Sequence, residues 1–309
     1  MITSIFNKTR PINYIILSAL LLVFYILFQN ADFFSKATLF DWCLKIVSFT
    51  LLLGALYLSQ FIYNRNNLVK DNMYGSLFFL SFCILLPSIF TNINVIGSVF
   101  FLILSFRRLI SLKSMIHIKQ KLFDATAFIL IASLFHFWNI LFLIVVFIAI
   151  VIHVAFDLRN WIIPIIATIL IGAIILLYVM LFEGSLLLFL YESSSIDLSF
   201  NYFENDIQRI TLAVFTGVSA LFLISSLLSY SSKPLNQLGA YRMLYLILLV
   251  AIAVFIVSPN KSNSLLAFTF FPVSIFGTNL IEKLDNKWVQ EAVILIIVLI
   301  SLTTFFIQL

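Results

Sequence analysis

Charge is scarce in this chain. Asp, Glu, Lys and Arg together supply 10% of the 309 residues, whereas 63% are hydrophobic. Soluble domains carry about 25% charged and about 45–50% apolar residues. A water-soluble globule of this length could not hide so much apolar surface, so that class is excluded and lipid is the solvent for most of the chain. Glycine and proline are also few, eight and six, which leaves no Gly-rich nucleotide loop and no flexible linker. The two cysteines, Cys43 and Cys83, sit inside apolar runs (WCLKIV and FCILLP). This disfavours a disulfide framework and predicts buried, inert thiols. Histidine is limited to His117, His136 and His153. A helical rise of 1.5 Å per residue separates the last two by about 25 Å, so no shared metal is expected and an iron-dependent membrane oxygenase is disfavoured.

What the chain has instead is apolar runs. Crossing a hydrocarbon core takes about 20 mostly apolar residues, and suitable runs occur near 12–28, 40–63, 74–91, 161–182, 210–230, 240–258, 263–281 and 290–308. The region 93–156 adds short runs at 93–106 and 124–137 and a longer one at 139–156. The expected fold is therefore all-α: one integral membrane domain over 1–309, a helical bundle of about eleven spans. The alternative is that 93–106 and 124–137 are re-entrant or tilted pairs. The opening MITSIFNKTRPINY sets Lys8 and Arg10 before the first run with no small-residue cleavage site after it, so it reads as a retained span.

Charge placement orients the bundle. With the N-terminus inside, eleven spans put 14 of the 18 basic residues and six acids on the cytoplasmic side, a net +8. The outer side keeps four basic residues and seven acids, a net −3. Lys and Arg beside spans are retained in the cytoplasm, so the expectation is N-in and C-out.

Two connections are more than turns. The cytoplasmic segment 107–123, within FRRLISLKSMIHIKQKLFD, interleaves basic and apolar residues. Such a segment lies on an anionic membrane face, and Arg107, Arg108 and Lys113 are its candidate lipid-phosphate contacts. The outer segment 183–206 holds Glu183, Glu192, Asp197, Glu204 and Asp206 with no Lys or Arg. Its GSLLLFLYE, residues 184–192, is too short to span and suits an interfacial helix.

The outer acids are the candidate chemistry. Asp32 and Asp41, in the loop after the first span, share a side with Glu183, Glu192 and Asp197. A carboxylate at an apolar surface can serve as a general base or hold a metal that bridges phosphates; the plain alternative is solvated loop charge. Ionisable residues within the spans are nearly limited to Lys45, four residues after Asp41, which gives little support to an ion-coupled transporter.

This arrangement resembles the GT-C class of membrane glycosyltransferases. Members of that class start N-in, place an essential acid in the first external loop, and carry a larger external loop with an interfacial helix between the seventh and eighth spans. The resemblance covers roughly the first 230 residues, although the first loop here is short and has no DxD or ED pair. At the level of wording, SIFNKTRPINY and SLLAFTFFPVSIFGTNLIE resemble an uncharacterised family of Bacteroidota inner-membrane proteins, some labelled automatically as beta-carotene monooxygenase.

The resemblance implies a transferase acting on a polyprenyl-linked sugar at the outer face. Asp32 and Asp41 would be catalytic, and Glu183, Glu192 and Asp197 supporting. The alternative is a non-enzymatic subunit of a larger envelope complex, and a small-molecule transporter ranks third. Expected partners are membrane lipids, a polyprenyl-phosphate lipid and other membrane proteins, with no nucleic acid. No metal site is expected, and the sequence names no cofactor.

Overall fold

The computed structural model describes residues 2–29, 39–154, 157–182, 194–199, 206–259 and 261–309. Among them the chain is helical with no strand. The first six helices are α1 (Ile2–Phe6), α2 (Pro11–Phe28), α3 (Leu39–Arg65), α4 (Tyr74–Leu85), α5 (Ile93–Ile110) and α6 (Ile118–Phe135). Then follow α7 (Leu143–His153), α8 (Leu158–Phe182), α9 (Asp206–Leu228), α10 (Leu235–Val257), α11 (Phe270–Lys283) and α12 (Lys287–Gln308). Among the described residues eight stretches are long and apolar enough to cross a membrane: α2, α3, Ile93–Ser114, Leu158–Leu177, α9, α10, Asn263–Lys283 and α12. Tyr74–Leu85 and Phe137–His153 are apolar but shorter.

The troublesome region resolves into helices. α5 and α6, each of 18 residues, pack along one another as an antiparallel pair. The run expected at 93–106 continues to Ile110, carrying Arg107 and Arg108 in its last turn, where cations complement the helix C-terminus. α6 begins with Lys119, Lys121 and Asp124 in its first two turns, which is why hydropathy shows so little of it.

Local chemistry sets the ends of these elements. Pro11 occupies the first turn of α2, where its missing N–H would have had no partner. Asn92 caps α5 by accepting the Val95 N–H at 3.2 Å, and Asn286 caps α12 from the Trp288 N–H at 2.9 Å. Pro87 ends α4, and a 3₁₀ turn continues over Pro87–Thr91. Similar 3₁₀ segments, Phe137–Phe142 and Asn263–Thr269, precede α7 and α11.

The core is central and aromatic. Every residue of α4 is buried, as are nearly all of Asn263–Thr269 and α11; by contrast, only 17% of Leu158–Leu177 is buried. Around this centre Phe82 meets Phe215 edge-on at 5.3 Å, Phe79 meets Phe270 at 5.8 Å, and Phe106 meets Phe271 at 5.6 Å. Lipid tails are as apolar as side chains, so shape and small residues decide such packing. Gly75 of α4 admits the Tyr63 ring of α3, whose hydroxyl reaches Ser274 Oγ of α11 at 2.6 Å.

The expected pair of buried thiols is corrected here. Cys83 is buried within α4, but Cys43 is exposed. It sits near the start of α3, whose apolar stretch is only 22% buried, so an apolar sequence context marks a lipid-facing position as readily as an interior one.

Candidate functional site

Two polar ends cap the apolar bundle. At one end the chain reversals are tied by Met73 N–H to Phe6 O, Tyr241 OH to Leu68 O and Lys113 Nζ to Asn66 O. This end collects Arg65, Lys70, Arg107, Arg108, Lys113, Lys121, Lys233 and Lys283, and is called the basic end. At the other, Gln29 donates to Phe90 O, Asn92 to Ser264 Oγ, Asn263 to Gln208 O and Gln308 to Leu85 O. Asp41, Asp197 and Asp206 lie here together with Lys45, Arg209 and Lys261; it is called the acidic end after the acids that the sequence places on this side.

Of the acids singled out in the sequence, Asp32, Glu183 and Glu192 lie outside the described residues, as does the 184–192 segment. Asp41 lines a cavity of about 290 Å³ at the acidic end, together with Gln29, Lys45, Ser48, Phe28 and Phe90. The Gln29 side chain is 9% exposed and donates Nε2 to Phe90 O at 3.0 Å, while its Oε1 is buried without a hydrogen-bond partner. An orphaned carbonyl of this kind is costly unless something donates to it. Asp197 is not among the residues lining this cavity. Its carboxylate accepts the Ser199 N–H at 2.8 Å, its N–H donates to Val257 O, and its carbonyl accepts from Lys261. The structure therefore sets Asp41 and Asp197 in different surroundings.

At the basic end, Arg107, Arg108 and Lys113 do converge. They line one cavity of about 370 Å³ with Arg65 and Lys121. Lys113 Nζ is fixed by Asn66 O at 2.8 Å, and Lys121 Nζ by Ser111 O at 2.7 Å and Ser114 Oγ at 2.8 Å. The Arg107 guanidinium lies over the Phe61 ring at 4.9 Å. Arg108 pairs with Asp124 at 2.9 Å; among the described residues the other four cations have no carboxylate within ion-pair reach. Arg65 and Lys121 were not singled out from the sequence. Arg65 ends a span 42 residues before Arg107, where a lone cation looks like an ordinary membrane anchor.

A second polar cluster stands beside this cup. Lys233 Nζ donates to Asn279 Oδ1 at 2.7 Å and Tyr241 OH at 3.0 Å. Glu282 accepts from Asn72 Nδ2 at 2.5 Å and from the Lys70 N–H at 2.7 Å. Burial lowers the Lys233 pKa; Glu282 opposes that shift and Lys70 adds to it. These contacts tie the loops before α4 and α10 to the end of α11, which is a structural task. Among the described residues no group of three or more His, Cys, Asp or Glu could hold a metal ion. His136 bonds Ser258 Oγ through Nε2 at 2.8 Å.

A family model described as a family of unknown function, DUF6427, matches residues 1–309. No curated protein and no solved structure matches the chain.

Proposed function

Because the chain belongs to DUF6427, a family of unknown function, we propose its role from geometry and charge: an eleven-span bacterial inner-membrane protein, N-in and C-out, acting as a transferase on a polyprenyl-linked sugar at the acidic, outer end. The observation that carries this is the Asp41 cavity. Asp41 and the unpartnered Gln29 Oε1 offer acceptors to a polyol, Lys45 offers a donor, and Phe28 and Phe90 supply apolar walls. In this scheme Asp41 is the base, with Asp32 of the preceding loop as the second candidate. Glu183 and Glu192 are supporting acids by sequence position. Asp197 is left out, because it does not line the cavity. The count of eleven adds α4, α6 and Phe137–His153 to the eight longer stretches, and it draws support from the segregation of the basic residues to one end.

The test is Asp41→Asn, with Gln29→Leu as a second variant, in cells scored for surface glycan and for protein level. Loss of a lipid-linked glycan at unchanged protein level is the expected outcome. Unaltered glycans in both variants, and in Asp32→Asn, would sink the transferase reading and favour a non-enzymatic envelope subunit.

A further inference from the structure

We propose that the cup formed by Arg65, Arg107, Arg108, Lys113 and Lys121 binds a phosphoryl group carried on a lipid, at the end of the bundle opposite the Asp41 cavity and independently of what that cavity does. Four of the five cations have no carboxylate partner among the described residues, although they share one cavity. Like charges held this close repel one another, so an empty cup is electrostatically unfavourable and an anion relieves it. The volume of about 370 Å³ lies within the range of about 300–1,000 Å³ for small-molecule sites.

The donors are organised in advance. Lys113 is tethered to one carbonyl and keeps two protons for a ligand. Lys121 makes two bonds and keeps one. Arg107 sits over the Phe61 ring and makes no side-chain hydrogen bond among the described residues, leaving its N–H groups for a ligand. Donors approaching from α3, α5, the Ser111–Ser114 turn and α6 suit a tetrahedral group with three terminal oxygens and up to two charges better than a planar carboxylate. The backbone is also unusual here. The non-glycine residues with positive φ among those described are Asn67, Met115 and His117. Asn67 follows Asn66, and the other two flank Ile116; both Asn66 and Ile116 line the cavity. Such conformations are costly and gather at ligand sites.

The rim indicates where the phosphoryl group comes from. Phe61 is 44% exposed and Ile116 61% exposed, yet both line a cavity otherwise rich in charge. Cations behind and apolar side chains at the mouth match a headgroup whose tail remains in the membrane; free phosphate would make no use of the mouth.

The experiment uses the full-length protein in neutral detergent, titrated separately with dioleoyl phosphatidic acid, dioleoyl phosphatidylcholine and inorganic pyrophosphate. Phosphatidic acid is expected to bind at least about tenfold more tightly than phosphatidylcholine, and Arg107→Gln and Lys113→Gln each to weaken it about tenfold. Arg65→Gln removes a side chain that makes no bond within the described fold, so its loss of affinity does not depend on folding. Arg159→Gln, exposed at the same end and outside the cup, should leave binding unchanged. Equal binding of the two lipids, or an Arg159→Gln effect as large as that of Arg65→Gln, overturns the site. Pyrophosphate binding as tight as phosphatidic acid overturns the lipid source.

Discussion

The Phe222 ring of α9 lies against the backbone of Gly277 in α11, so close that a Cβ on residue 277 would stand 2.3 Å from ring Cε2. Phe222 cannot retreat freely, because it also packs on Phe78 at 5.2 Å and Phe82 at 6.5 Å. Gly277→Ala is therefore expected to destabilise the bundle by about 1–3 kcal/mol, as overpacking does. Thermal unfolding in detergent checks this. Adding Phe222→Leu should recover part of the loss, and strictly additive effects would show that the two positions do not touch.

Tyr63 offers two separable tests. Its hydroxyl meets Ser274 Oγ at 2.6 Å, and its ring lies 2.6 Å from where a Gly75 Cβ would be. Interhelical hydrogen bonds in membrane proteins average about 0.6 kcal/mol, so Tyr63→Phe should cost well under 1 kcal/mol. Gly75→Ala should cost more, because it moves a buried ring. The opposite order of melting temperatures would show that polar bonding outweighs shape in this core.

Glu282 should be sensitive to shape more than to charge. Glu282→Gln keeps an oxygen acceptor for Asn72 and the Lys70 N–H and is expected to shift the melting temperature little. Glu282→Ala leaves the buried Asn72 amide without that acceptor and should cost about 1–3 kcal/mol. Equal losses in both variants would mean that the negative charge itself, facing Lys233, is what matters.

Thiol labelling tests the topology. In a Cys43→Ser, Cys83→Ala background, Thr91→Cys and Ser262→Cys should react with an impermeant maleimide in intact spheroplasts. Ser114→Cys and Ser232→Cys should react only after permeabilisation. A full reversal would refute the N-in orientation, and a mixed pattern would refute the count of eleven.

The native cysteines give a further check. Cys43 should label in folded, detergent-solubilised protein and Cys83 only on unfolding. Rapid labelling of both would show that α4 is not central.

The helical class, the segregation of charge and the convergence of Arg107, Arg108 and Lys113 were legible in sequence because each is written in local runs. Three things were not. Hydropathy does not distinguish a lipid-facing residue from a buried one, so neither the central place of α4 and α11 nor the exposure of Cys43 could be read. Arg65 joins the cup only through the packing of α3 on α5, a contact between distant segments. The change from 3₁₀ to α winding near Phe142 and Thr269 depends on tertiary neighbours and has no composition of its own.

That winding has a consequence for reach. The 12 residues of α4 rise about 18 Å as an α-helix, well short of a hydrocarbon core of about 30 Å. The five residues Pro87–Thr91 add about 10 Å at the steeper 3₁₀ rise, bringing the segment to about 28 Å. Phe137–His153 gains length in the same way. By stretching their turns at the acidic end, the innermost segments keep pace with longer neighbours while using fewer residues. For these short segments the missing length is thus made up at the acidic end, so they would feel a thinner or thicker bilayer there first.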